Sequence, residues 1–76
     1  MKVINVLNGY LKQYAIEQIT IIKGHKVLCS VSVNDFLTAY RSKIDQYPND
    51  LAKEYAEMEV VDRDILNNNK LFLFVS

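Results

Sequence analysis

The chain has one cysteine, one proline, two glycines, one histidine and no tryptophan in 76 residues. A single cysteine, Cys29, excludes an intrachain disulfide, the usual staple of small secreted domains. With His25 as the only imidazole, a cysteine–histidine metal staple is excluded as well. Two glycines, Gly9 and Gly24, cannot build a glycine-rich phosphate loop. No stretch approaches the ~20 apolar residues that a membrane span requires. The N-terminus lacks the basic-then-apolar layout of an export signal, because Asn5 and Asn8 interrupt it. The expectation is a cytosolic domain, reduced at its thiol, with no cofactor and no metal.

Half of the residues are hydrophobic, enough to bury a core and too many for a disordered chain. A domain of this length buries only about 60% of the surface its unfolded chain exposes. Packing quality or self-association must therefore supply its stability. Net charge is zero but unevenly spread. Residues 1–49 hold six basic and three acidic side chains, a net +3. Residues 50–64 hold two basic and six acidic ones, a net −4. Such polarity steers a small domain toward a charged partner.

Hydrophobic spacing divides the chain into seven elements. Val3, Leu7, Tyr10 and Tyr14 form a helical stripe over 3–14. Asn8-Gly9 is also a hairpin signal, so a strand over 2–7 is the alternative. Residues 17–33 read as a hairpin turning at Gly24. Loop parity decides its register. An odd loop is expected, because it gathers Ile19, Ile21, Val27, Cys29 and Val31 on one face. Phe36, Leu37, Tyr40, Ile44 and Tyr47 predict a helix over 34–47, capped by Ser32 or Asn34, that ends or kinks near Tyr47 ahead of Pro48. A second helical segment runs from Asn49-Asp50 to about Met58. Residues 59–75 read as another hairpin, turning at Asn67-Asn68-Asn69. Its last strand is apolar on both faces, with Leu71, Leu73 and Val75 opposite Phe72 and Phe74, as a central strand would be. The expectation is one α+β domain over 1–76, in the order α-β-β-α-α-β-β. Its sheet would be four-stranded and mostly antiparallel, with helices on one face.

No catalytic set emerges. His25 at a turn is a poor base for a thiol on the core face. Asp62 and Asp64 share one strand face, which reads as an exposed edge that discourages unwanted pairing. Tyr10, Tyr14, Tyr40, Tyr47 and Tyr55 are covers for the sheet or interface residues. Lys23, Lys26, Arg41 and Lys43 make a small basic patch without the basic-aromatic stripe of a single-strand binder.

In layout, the isoleucine-rich strand Glu17-Gln18-Ile19-Thr20-Ile21-Ile22, the glycine turn, the helix carrying Asp35-Phe36-Leu37 and the closing strand Leu71-Phe72-Leu73-Phe74-Val75 resemble small proteins of phages and mobile elements of Gram-positive bacteria. That class includes anti-CRISPR inhibitors of defence nucleases. The resemblance implies a non-catalytic module that binds a bacterial protein, a nuclease or defence complex among them. No functional residue is carried over from it. From the acidic segment itself, Asp50, Glu54, Tyr55 and Glu57 are the expected partner contacts. Phe72 and Phe74 are expected at a homodimer surface. The alternative is a transcriptional or replication regulator that grips nucleic acid through Lys23, Lys26, Arg41 and Lys43.

Overall fold

The computed structural model describes residues 1–41 and 54–76. Its first helix, α1 (Val3–Leu11), replaces the alternative strand. Val3, Ile4, Val6 and Leu7 are all buried. A helix buries that spacing on one broad stripe, whereas a strand hides only alternate residues. No side chain caps α1, but the Val3 N–H finds the Met58 carbonyl at 2.9 Å.

Strands β1 (Gln18–Lys23) and β2 (Lys26–Ser32) form the first hairpin. Lys23 pairs with Lys26, so the loop is the two residues Gly24-His25 and not an odd number. Gly24 takes φ +61, the positive φ that a tight two-residue turn needs at its first central position. The expected face nevertheless forms, because the register shifts between Ile21 and Ile22. Ile22 pairs with Val27, and Ile21 pairs with Cys29, which leaves Leu28 as the extra residue of a bulge. Ile19, Ile21, Cys29 and Val31 thus share a face. Val27 is the exception, turned to the other side beside Ile22.

Helix α2 (Val33–Arg41) begins where Ser32 Oγ accepts the Asp35 N–H at 3.0 Å, an N-cap with an acid in the first turn. Its buried residues are Val33 and Phe36. The expected continuation to 47 and the end or kink ahead of Pro48 lie outside the described residues. A helical turn at 54–56 precedes β3 (Val60–Leu66) and β4 (Lys70–Val75). The second hairpin turns where Asn67 and Asn68 take φ 54 and 61 and the Asn69 N–H reaches the Leu66 carbonyl at 3.1 Å. Asparagine tolerates that left-handed backbone better than other side chains do.

The sheet order is β2-β1-β4-β3. The two hairpins are antiparallel, and β1 pairs with β4 in parallel at its centre. The architecture is α+β with a four-stranded mixed sheet, in the order α-β-β-α-α-β-β. The doubly apolar β4 does lie inside the sheet. The carbonyl of Asn69 fastens the seam, accepting the Glu17 N–H at 2.7 Å and the Gln18 N–H at 3.2 Å.

Register fixes the two faces. Ile19, Ile21, Leu71, Leu73 and Val75 project from one face and are 0–4% exposed. They join Val3, Leu7, Val33, Phe36 and Ala56 in a single core. The opposite face carries three rows across the four strands. Ser32, Gln18, Lys70 and Leu66 form the first row. Ser30, Thr20, Phe72 and Asp64 form the second, and Val27, Ile22, Phe74 and Asp62 the third. No helix among the described residues is long and apolar enough to cross a membrane.

Candidate interaction surface

The acidic segment is less uniform than its sequence suggests. Glu57 is held by Lys2 Nζ at 2.5 Å, an exposed ion pair. The hydrogen bond and charge of Glu57 raise the Lys2 pKa above the ordinary lysine value. Glu59 lies 3.1 Å from the ammonium of Met1. Glu54 is exposed, and Tyr55 is half-buried against the core. Asp50 lies outside the described residues. Of the four expected partner contacts, Glu54 thus presents an unpaired charge among the described residues, and Glu57 a compensated one.

Asp62 and Asp64 lie exposed on the edge strand, and there each bonds its own strand's backbone, a contact that the sequence reading missed. Asp62 Oδ1 accepts the Arg63 N–H at 2.8 Å, and Asp64 Oδ1 accepts the Ile65 N–H at 2.8 Å. Each carboxylate caps the next residue's amide along the outer side of β3. The Asp-x-Asp spacing on a strand was the available signal, since only alternate amides point outward. Neither aspartate has a cationic partner among the described residues.

Phe72 and Phe74 stand beside them on β4, half-buried, with Ile22 and Thr20 of β1 on the other flank. Thr20 is 8% exposed, and its hydroxyl meets Ser30 Oγ at 3.1 Å. Gln18 Nε2 donates to the same Ser30 oxygen at 2.9 Å. The face therefore grades from hydroxyls on β2, through apolar rings on β4, to carboxylates on β3. It can offer ring faces together with carboxylates that no cation among the described residues neutralises, a chemistry suited to guanidinium and ammonium groups.

The other candidates are placed more simply. His25 is exposed at the turn, and Cys29 is half-buried on the core face, where burial pushes its thiol pKa up. A raised thiol is the opposite of an activated nucleophile. Lys23 and Lys26 are cross-strand neighbours at the hairpin tip. Arg41 is exposed at the end of α2, and Lys43 lies outside the described residues. Tyr10 and Tyr14 stack with ring centroids 5.8 Å apart. With Val6 and Arg63 they line an open groove of about 330 Å³. Tyr47 is outside the described residues. No group of three or more potential metal ligands gathers among the described residues. Compared with known proteins, the chain matches no family model, no curated protein and no solved structure.

Proposed function

We propose that this chain is a non-catalytic protein-binding module of the bacterial host cytosol, and that it inhibits a nuclease or defence complex in the anti-CRISPR manner. The observation that carries the reading is the sheet face away from the core, where half-buried Phe72 and Phe74 adjoin Asp62 and Asp64, which have no cationic partner among the described residues. Nucleic-acid grooves are lined by lysine and arginine. A guanidinium from such a groove can lie on a phenyl ring while it bonds a neighbouring carboxylate. Glu54 and Tyr55 remain proposed contacts, Glu57 joins them once it releases Lys2, and Asp50 lies outside the described residues. Blocking the groove by occupancy needs no chemistry from the inhibitor.

The test is capture of partners by the tagged chain from Gram-positive lysate treated with nuclease, with bound protein identified by mass spectrometry. One dominant nucleic-acid-binding protein is expected. Its retention should fall for Asp62→Lys/Asp64→Lys and for Phe72→Ser, both checked for folding by circular dichroism. Equal retention by the folded variants would overturn this face as the contact.

A second reading has one observation in its favour. Lys23 and Lys26 sit side by side at an exposed tip, as the grip of a small nucleic-acid-binding regulator would. Arg41, exposed at the end of α2, would add to it, and Lys43 lies outside the described residues. Nucleic acid retained without a protein partner, and released steeply by salt, would favour that regulator.

A further inference from the structure

We infer that two copies of the chain join through β2, edge to edge and antiparallel, into one eight-stranded sheet. An open sheet has two edges, and each is a template for another strand unless it is blocked. Here the edges are treated differently. On β3 the outward amides of Arg63 and Ile65 are already taken by Asp62 and Asp64. Those carboxylates also repel an incoming strand's carbonyls. A register shift between Val60 and Asp62 bends the same edge, and Lys2 bridges to Glu59 at its start. That side is closed.

Strand β2 carries the bulge at Leu28, but among the described residues no side chain caps its outward amides at Ser30 and Ser32. The Val33 N–H donates inward to the Glu17 carbonyl at 2.9 Å, which sets the alternation. Residues an odd number away along the regular part of the strand then point outward, so Ser30 directs its N–H and C=O, and Ser32 its N–H, away from β1; the Ser32 carbonyl, at the N-cap, serves α2. Among the described residues no other backbone group takes the Ser30 amide. From Val27 to Ser32 there is no charge and no proline, and Val27 and Val31 are 56% and 36% exposed. An uncharged β-branched edge of this kind is adhesive.

A second copy fits this edge by its own charge pattern. Antiparallel pairing centred on Ser30 sets uncharged residues opposite uncharged residues. It carries exposed Lys26 to the end of the ladder, where the second copy's α2 begins with exposed Asp35. The two-fold repeats the contact at the other end. Two opposite-charge contacts form and no like charges meet. The dimer surface thus moves from Phe72 and Phe74, the sequence expectation, to the β2 edge. The Phe72 faces of both copies then lie side by side on one continuous sheet.

The experiment is light scattering on the full chain at high micromolar concentration, with circular dichroism on the same samples. The wild type is expected at twice its 8.8 kDa mass. Ser30→Pro removes an outward amide that β1 does not use, a change edge strands tolerate. Ser30→Lys sets two ammonium groups against each other at the axis. Either variant, folded, is expected at the single-chain mass, while Phe72→Ser keeps the doubled mass. A single-chain mass for the wild type overturns the inference. So does a folded Ser30→Lys chain that stays doubled, or a doubled mass lost only on Phe72→Ser. If Ser30→Pro does not fold, the lysine variant decides.

Discussion

Leu73 and Phe72 are neighbours on one strand, yet truncating the smaller side chain should cost more. Leu73 is fully buried, between Ile21 of β1 and Arg63 of β3. Leu73→Ala removes its methyl groups and leaves a cavity among residues that relax only partly, a loss of about 3 kcal/mol within the usual range of ~2–5. A 76-residue domain holds roughly 4–11 kcal/mol in total. The variant should therefore remain folded but melt ~12–24 °C lower, at ~4–8 °C per kcal/mol. Phe72 points to the face away from the core and is only half-buried. Phe72→Ala forfeits part of the transfer energy and opens no closed cavity, so ~1–2 kcal/mol is expected. Urea unfolding followed by circular dichroism, at low protein concentration to limit association, gives both values. An unchanged slope against urea would show that only stability moved. The reasoning fails if Phe72→Ala costs as much as Leu73→Ala, because that result would mean the second face is covered.

Three further outcomes follow from local geometry. Ser32→Ala should cost about 1 kcal/mol in urea unfolding through loss of the α2 cap, and Ser32→Asp should restore most of it. Asn68→Gly should leave stability unchanged or raise it by a few tenths of a kcal/mol, whereas Asn68→Val should lower it by at least ~1 kcal/mol, since its backbone is left-handed. The Cys29 thiol should react with a thiol reagent more slowly in the folded chain than in urea, with its pH–rate profile displaced upward. The raised pKa means that, above the ordinary thiol range, the unfolded chain holds fewer protons than the folded one. Stability should therefore fall as pH rises there. Replacing Cys29 with alanine should remove that component of the decline.

Local signals were legible, and long-range ones were not. Gly24 and the Asn67–Asn69 run marked both turns because positive φ demands those residue types. The face of β1 was legible from alternation, but the loop that produced it was not. A two-residue turn with a bulge at Leu28 and a three-residue turn without one put Ile19, Ile21, Cys29 and Val31 on the same side. They differ only at Val27, and alternation alone cannot choose between them. The parallel pairing of β1 with β4 left no mark in either segment, because it joins Gln18 to Lys70 across most of the chain. On the surface, counting acids from 50 to 64 treated them as equals. Lys2 from the far end compensates Glu57, and β3's own amides engage Asp62 and Asp64 without neutralising them.

The parallel seam has a consequence for how the molecule assembles. Each hairpin closes over a turn of two or three residues, a step that costs little chain entropy. The seam closes a loop many times longer and can be rewarded only when both hairpins exist. Folding should thus be the docking of two preformed ribbons, with the slow step at β1 against β4. The same division makes the chain severable. A cut between the hairpins leaves both ribbons whole, with α1 on the first piece, so two inert fragments should regain the fold only when mixed.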